Sequence, residues 1–541
     1  MKNKLLILTI FLFIAIALSC NKTLQTKISD DPTTHETWNQ NTDTFKIANC
    51  AEPNSIDPAY VVDQSEKRIV FALFDGLLNY DAKTALPAPG LAQTWRSNKA
   101  GDQWTFLLRK ANWSDGTPIT AQDVVFSWMR IIAPETHSPN ATILCDIIKG
   151  ASDYNQGTTS KDSVGIHALD DYSFQIDTVG PIPYIIDALT SPNLAIVPQH
   201  TIKKFGENWT DSNHIVSSGP FVLKDRIDTM YLSCTKNEQY WDAKNVKLHK
   251  VLFMTNPDFD EMYQKYEIGS VDWLPQIPSD KISASAKRKD FHANINMSSY
   301  FYAFNIKREG INNAQVRKAI AASIDRSDLV KKMTGEGEIP AWGIVPAING
   351  YPIKQNPFSS TQTAIYEAKQ LMIEAGYLQG KNFPSLTLIY LNTNKQNRDI
   401  AQYVSNQIEE NLGITIQPIG KNKEAYTLAL NTKDFDLIQT ECTGQYQDPT
   451  AFLSLFTPHY LLNGYESESF NNEMYKSYSQ MDSKARFTTL RKAEDILIST
   501  DAIISPLFYE ATTSLINTDI WGGFYPNTME FYPFKDIYQK K

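Results

Sequence analysis

Short β-rich runs alternate with amphipathic helical stretches along almost the whole chain, beginning at Phe45. This alternation is the pattern of an α/β protein. About 500 residues follow this point, which predicts two or three domains. Hydrophobic residues make up 42% of the chain and aromatic residues 11%, so the domains can build sizeable cores.

Individual elements can be predicted from this pattern. A strand is expected at Trp104–Leu108, followed by a helix at Thr120–Ile132. Thr120 caps the first turn of this helix and Asp123 completes a capping box. Gly376 suits the C-terminal cap of a helix at Thr363–Glu374, and a later helix is expected to end at Leu412 and Gly413. Further helices are predicted at Ala314–Ile324, Thr363–Glu374 and Gln396–Asn411, and a further strand at Ile414–Pro418.

The N-terminus carries an export signal. Two lysines precede a mainly apolar run at Leu5–Leu18, and Ser19 stands directly before Cys20. The run of about 14 residues is shorter than the roughly 20 that a bilayer-spanning helix needs, so residues 1–20 are predicted to be a signal peptide. The residues before Cys20 are similar to a bacterial lipobox, which predicts a lipid anchor there; ordinary cleavage with Cys20 as a bystander is the alternative. Residues 21–44 are polar and are predicted to form a flexible tether.

Charge and motifs exclude several functions. The formal net charge of -9 and the pI near 5.5 argue against a nucleic-acid partner, since phosphate binding needs a basic face. The chain lacks GxSxG, HExxH, Walker A and strand-linked GxGxxG motifs, and the lone GxG at Gly335–Gly337 is interpreted as a turn. The sequence therefore predicts a protein that is not an enzyme and that has no cofactor.

The cysteines beyond Cys20 are widely spaced and contain no CxxC pair. They allow two disulfides or buried free thiols, and they do not make a metal site. These residues are Cys50, Cys145, Cys234 and Cys442.

A collinear set of sequence blocks carries a family resemblance. The blocks are Glu52–Pro58, Phe74–Leu78, Leu91–Trp95, Trp104–Arg130, Ala168–Phe174, Ser217–Lys224, Asn237–Asp242, Tyr266–Asp272 and Val316–Arg326. In these blocks the chain resembles the peptide-type solute-binding proteins of bacterial ABC importers, the oligopeptide and dipeptide binding family that includes oligopeptide-binding lipoproteins. The tryptophans in these blocks are interpreted as core packing, so the blocks identify the fold and not the ligand.

The resemblance implies a two-lobe periplasmic-binding-protein fold of type II, with a hinge, a central ligand cleft and a small inserted extra domain. By this resemblance, lobe I is expected at 45–66, 189–297 and 511–541, the inserted subdomain at 67–188 and lobe II at 298–510. The implied function is that of an extracytoplasmic, monomeric binding subunit. It would bind oligopeptides in the cleft and deliver them to membrane permease subunits, from the periplasm or the cell surface and anchored by lipid to a bacterial membrane.

The resemblance also places the ligand-binding residues. Peptide binders of the family hold the ligand as a strand between the lobes, where main-chain groups supply hydrogen bonds. The matching residues are Glu52, Pro53 and Asn54 in the first lobe, and Glu441, Cys442, Thr443, Gly444, Gln445 and Tyr446 in the second.

The charges of this site depart from the family pattern. Gln445 stands where peptide binders place an aspartate for the ligand's α-amino group, and a buried charged hydrogen bond contributes about 1.5 to 3 kcal/mol. Glu441 and Asp448 could compensate for this loss, with a solvated surface charge as the alternative for each. The cysteine that usually pairs with the one in this loop aligns with Ser298, so Cys442 is not expected to form that disulfide.

Positions that bear basic groups for the ligand's carboxylate in some relatives are also neutral. Lys395 and Arg398 could compensate, or could be surface charges. The neutral positions are Gln439, Leu430 and Asn397. Two other functions stay open: a family member that binds a non-peptide ligand, and a surface lipoprotein that acts as an adhesin or receptor.

Overall fold

A computed structural model describes residues 43–335, 337–458 and 465–541. The predicted signal peptide, the lipid anchor at Cys20, the predicted tether up to residue 42, and Glu336 lie outside the described residues. In the described ranges, no helix combines the length and the apolar character that crossing a membrane requires. The chain divides into Met1–Thr44 and a body at Phe45–Lys541, and the following description concerns the body.

The described part of the body contains short strands and helices in alternation. The strands are β1 Thr44–Ala48, β2 Leu78–Tyr80, β3 Pro87–Pro89, β4 Ala92–Ser97, β5 Gln103–Leu108, β6 Ile166–Ala168, β7 Ser173–Asp177, β8 Phe221–Ile227, β9 Tyr231–Lys236, β10 Lys250–Met254, β11 Trp273–Leu274, β12 Phe291–Phe304, β13 Ile339–Pro340, β14 Leu386–Leu391, β15 Ile416–Lys421, β16 Leu437–Thr443, β17 Ile504–Ile516, β18 Trp521–Gly522 and β19 Tyr538–Gln539. The helices are α1 Gln64–Leu73, α2 Ala121–Ile132, α3 Ala141–Cys145, α4 Ala151–Asn155, α5 Ile185–Ala188, α6 Gln199–Phe205, α7 Phe259–Glu267, α8 Ile282–Ser285, α9 Ala314–Ala322, α10 Arg326–Met333, α11 Thr361–Glu374, α12 Lys395–Leu412, α13 Lys423–Thr432, α14 Thr450–Leu453, α15 Glu468–Tyr478 and α16 Ser483–Asp495.

One mixed sheet of eleven strands runs through the body in the order β15-β14-β16-β12-β17-β11-β1-β10-β9-β8, with β13 paired to β17. Strands β12 and β17 are long and antiparallel, and they join the two ends of this sheet. Their pairing shifts register between Ile295 and Ser299. Because such an irregularity bends a strand, β12 and β17 are expected to bend where the two ends of the sheet are joined.

A separate four-stranded sheet, in the order β4-β5-β7-β6, packs with α2 around its own core. Trp128 lies edge-on to Phe174 with ring centroids 5.3 Å apart, and both side chains are fully buried. Trp104 and Trp113 are buried in the same core. The prediction that these tryptophans serve core packing is confirmed.

Several predicted elements agree closely with the structure. Helix α2 begins after Thr120, whose backbone N–H donates to Asp123 Oδ2 at 2.9 Å in the predicted capping box. Helix α12 ends at Gly413, whose φ of 72° is the left-handed cap conformation. Helix α9 ends two residues earlier than predicted, because Asp325 instead caps α10 by accepting the N–H of Asp328 at 3.0 Å. The α/β class is confirmed.

The four cysteines of the body are all free thiols. Cys234 and Cys442 lie in separate hydrophobic cores, and Cys50 lies in a third. The free-thiol alternative therefore describes all four cysteines, of which Cys145 is half-buried and the other three are buried.

Candidate ligand-binding cleft

A cavity of about 290 Å³ opens where α1 faces the register break of β12 and the end of β16. Gln64 and Lys67 of α1 line one wall, and residues 528–531 extend it. Asn296, Met297 and Ser298 of β12 line the other wall, together with residues 443–445. The cavity therefore lies between two parts of the chain that are far apart in sequence.

Strand alternation decides which predicted residues of β16 face the cavity. Thr443 pairs with Ser298 of β12, and their hydroxyl oxygens are 2.5 Å apart. Cys442 points to the opposite face, where it is buried in the core that contains Phe301 and Phe452. Because successive side chains of a strand point to opposite faces, Thr443 contributes a side chain to the cavity and Cys442 does not. The expected absence of a disulfide at Cys442 is consistent with its free thiol.

Gly444 follows β16 and is closely packed. Its N–H donates to the carbonyl of Met297 at 2.7 Å. A Cβ at this position would lie 2.8 Å from the Phe452 ring and 3.0 Å from Met297 Cε. Only glycine fits here without moving these side chains, so the end of β16 is held against the break in β12. Gln445 comes next, with its side chain exposed at the cavity wall.

Tyr446 connects the end of β16 to the predicted inserted subdomain. Its ring stacks on Tyr184 with centroids 5.0 Å apart and an interplanar angle of 4°. Next to this stack, Asp448 forms a buried ion pair with Arg486, with an Nη1–Oδ2 distance of 2.5 Å. Asp448 is thus neither a compensating charge for a ligand amine nor a solvated surface charge, because its carboxylate is already paired inside the protein.

The first-lobe residues Glu52, Pro53 and Asn54 are not among the residues that line this cavity. Glu52 accepts hydrogen bonds from Arg226 Nη2 at 2.5 Å and from the N–H of Thr229 at 2.8 Å. Burial tends to raise the pKa of Glu52, but these bonds hold it below its ordinary value. Pro53 is buried and the Asn54 side chain is exposed. The Glu52 carboxylate therefore serves the protein's own structure.

Glu66 is a structural residue that the sequence did not point to. Its side chain is fully buried, and its carboxylate accepts the backbone N–H groups of Asn54 and Val62, both at 2.9 Å. It also completes a capping box with Asp63 at the start of α1. These bonds hold the segment before α1 and so position Gln64 and Lys67 at the cavity.

Lys67 is the basic group of this wall and was also missed. Burial lowers the pKa of Lys67, while the nearby carboxylates of Asp63, Glu530 and Glu66 oppose that shift. In the described part of the chain, no ion-pair partner lies within 4.0 Å of Lys67. Helical spacing from Gln64 could have indicated that both residues share one face.

Two of the three positions that replace the family's basic groups bond to the last residue of β14. Gln439 accepts the N–H of Leu391 at 3.0 Å, and Asn397 Nδ2 donates to the Leu391 carbonyl at 2.9 Å. Lys395 and Arg398 are exposed and both lie against Asp399. These two basic residues are therefore surface charges.

The comparisons with known proteins decide the family. Residues 87–460 match the model of the bacterial extracellular solute-binding proteins, family 5. The chain belongs to this family. The Escherichia coli K12 periplasmic murein peptide-binding protein MppA is 31% identical to this chain over 487 residues, covering 88% of this chain and 89% of MppA. The E. coli K12 periplasmic oligopeptide-binding protein OppA is 30% identical, covering 88% of each chain.

Another relative is named for a different ligand. The E. coli K12 protein YgiS, described as a probable deoxycholate-binding periplasmic protein, is 26% identical and covers 92% of this chain and 93% of YgiS.

Solved structures agree with the family 5 assignment. An unliganded open form of MppA superposes with a TM-score of 0.83 at 29% identity, covering 92% of this chain and 98% of that chain. Haemophilus influenzae OppA in complex with the peptide RPPGFSPFR gives a TM-score of 0.73 at 25% identity, covering 93% and 99%. The predicted two-lobe fold and the predicted peptide-type solute-binding family are confirmed.

Proposed function

We propose that this chain is the substrate-binding subunit of an ABC importer, which binds oligopeptides in the interlobe cleft and delivers them to a membrane permease outside the cytoplasm. The observation that carries the proposal is the cavity between α1 and β16, whose far wall includes the last residue of β16, Thr443, and the two residues that follow it. An extended peptide can lie along such a segment and use main-chain hydrogen bonds whatever its sequence. The names of MppA and OppA support peptides as the ligand class.

Hinge closure at the sheet break is part of the proposal. In β12 and β17, Ile295 pairs with Ala511 and Ser299 pairs with Tyr509, so the ladder is interrupted at residues 296–298 and at Glu510. These interruptions support lobe boundaries at 297/298 and 510/511. The two strands would bend there as lobe II closes on the ligand.

The inserted subdomain is proposed to begin later than residue 67. Helix α1 is continuous across 66/67, and Ile69, Val70 and Leu73 pack into the core around β8–β10. In chain order, the core of the four-stranded sheet contains Ala59 and then no further buried residue before Leu77. We therefore place α1 in lobe I and the start of the insert after Phe74.

The location and state of the chain are proposals that follow from its N-terminus and its family. Residues 1–20 would direct export, Cys20 would carry the lipid, and residues 21–44 would tether the body to the membrane. The protein would act as a monomer and without catalysis, since the named relatives are binding proteins.

Native mass spectrometry of the protein purified from its own host tests the ligand class. We expect short peptides to be retained in the cleft; a sugar, an opine, haem or a metal chelate as the only ligand would contradict the proposal. Gly444→Val should remove the retained ligand, because the added side chain collides with Phe452. Gly180→Val is the matched control, since a Cβ at Gly180 meets no atom within 4 Å.

A non-peptide ligand is the second candidate. Gln445 supplies no charge for an α-amino group, and the name of YgiS refers to a bile acid. Retention of an amphipathic acid without any peptide in the same mass spectrum would favour this candidate.

A further inference from the structure

Two carboxylates and a tyrosine lie on neighbouring strands of the sheet at the cleft. Glu441 of β16 lies opposite Tyr300 of β12, and Phe508 of β17 lies opposite Tyr300 on its other side. Glu510 lies at the interruption of the β17 ladder, two residues after Phe508, and its carboxyl is near enough to Glu441 and Ser298 for both to affect its pKa. Glu441, Tyr300 and Glu510 therefore lie close together.

This group adjoins the cavity through Ser298. Ser298 precedes Tyr300 by two residues and lies on the same face, where its hydroxyl is 2.5 Å from that of Thr443 and close enough to Glu510 to oppose the rise in the pKa of that carboxyl. Ser298 and Thr443 both line the cavity. Glu441 is exposed and Glu510 is half-buried, so solvent and ligand can reach the carboxylates.

The two carboxylates lack a positive partner. Within the described ranges, no lysine, arginine or histidine lies within 4.0 Å of Glu441 or Glu510. Burial, and then the charges of Glu441, Glu338 and Glu530, raise the pKa of Glu510 to about 7. Like charges thus meet at a site where a bound cation would be favoured.

Tyr300 supplies the second, independent observation. Only 3% of its surface is exposed, and its hydroxyl makes no hydrogen bond. Its ring stacks on Phe508 with centroids 4.7 Å apart, which holds its direction. Burial raises the pKa of Tyr300, and its neighbour Tyr302 and the charges of Glu441 and Glu510 raise it further. This hydroxyl therefore has unused hydrogen-bonding capacity beside Glu441, which lies opposite Tyr300 in the sheet.

The chemistry of the site favours an organic cation. Among the described residues, no group of three or more acidic, histidine or cysteine side chains is arranged to hold a metal ion. A primary ammonium has three N–H donors, and the site offers two carboxylates and one hydroxyl as acceptors.

We propose that Glu441, Glu510 and Tyr300 bind a primary ammonium group of the ligand, in place of the carboxylate that Gln445 does not provide. The inference rests on the proposed peptide-binding function and adds the charge of the group that the cleft selects. The ammonium is either the α-amino group of a peptide or the amine of a lysine-like side chain.

Titration calorimetry with three synthetic tripeptides tests the inference and separates these two sources. The peptides are Ala-Ala-Ala, its N-acetylated form, and N-acetyl-Ala-Lys-Ala. An α-amino ligand predicts that acetylation of Ala-Ala-Ala weakens binding and that lysine does not restore it. A side-chain ligand predicts that N-acetyl-Ala-Lys-Ala binds best.

Three variants then assign the site. Glu441→Gln and Glu510→Gln should each weaken the binding of the peptide that carries the selected amine about tenfold or more. The affinity for the peptide without that amine should stay unchanged. Tyr300→Phe keeps the ring stack and should weaken the binding of the same peptide by a smaller factor. Glu367→Gln removes one exposed carboxylate of α11 and is the matched control.

The possible failures are distinguishable. If the three site variants bind the amine-bearing peptide as tightly as the wild type, while Gly444→Val does not bind it, the ammonium site is wrong and peptide binding stands. If the wild-type protein binds none of the three peptides, both the peptide-binding function and the ammonium site are wrong. Equal weakening of all three peptides by Glu510→Gln would also contradict the inference, since a structural role predicts that result.

Discussion

Replacing Arg486 by methionine should destabilise the protein strongly. Arg486 and Asp448 have side chains that are only 3% and 5% exposed, and they form a two-point ion pair with distances of 2.5 and 2.7 Å. Removing one partner of such a pair leaves an uncompensated buried charge, which costs about 3 to 5 kcal/mol. Asp448 keeps bonds from the N–H and hydroxyl of Thr450 at 2.9 and 2.6 Å, so we expect about 3 kcal/mol.

Urea unfolding followed by tryptophan fluorescence measures this change. The double variant Asp448→Leu with Arg486→Met removes both charges and should be more stable than Arg486→Met alone, because it leaves no buried charge unpaired. Arg96→Met replaces an exposed arginine of β4 and should change the free energy of unfolding by less than about 0.5 kcal/mol. If Arg486→Met lowers the free energy of unfolding by less than about 1 kcal/mol, close to the effect of an exposed substitution, the reasoning is refuted.

Three further predictions concern the cleft and the N-terminus. Gln445→Asp should tighten the binding of peptides with a free α-amino group if that group lies near Gln445, and calorimetry that shows no change would place the group elsewhere. Cys20→Ser should move the protein from the membrane fraction to the soluble fraction, and continued sedimentation with membranes would contradict lipid anchoring. Glu510 holds its proton in the folded state up to about pH 7, above its ordinary range, so the stability it contributes is present at low pH and is lost as the pH rises to about 7. Glu510→Gln should therefore stabilise the protein relative to wild type more at pH 8 than at pH 5. If the urea midpoints of variant and wild type differ by the same amount at both pH values, the pKa of Glu510 is not raised.

Local features of this fold could be predicted because their causes are local in sequence. The capping box of Thr120 and Asp123 spans four consecutive residues, and the end of α12 depends on Gly413 alone. The side-chain alternation at Cys442 and Thr443 is equally local, but deciding which of them faces the cleft requires knowing that Thr443 pairs with Ser298. That pairing joins strands about 145 residues apart, which no short pattern contains.

The charges of the site were less predictable for the same physical reason. Whether a carboxylate is a solvated charge, a ligand group or half of a buried ion pair depends on its neighbours in space. Asp448 has a cation 38 residues away in sequence, whereas Glu441 and Glu510 come together from the strands on either side of β12 without one. Because the paired carboxylate is neutralised and the unpaired ones repel each other, only the latter gain from binding an external cation. The loss of a charge at Gln445 therefore does not make the cleft neutral: its acidic groups lie on neighbouring parts of the sheet, an arrangement that sequence alone did not reveal.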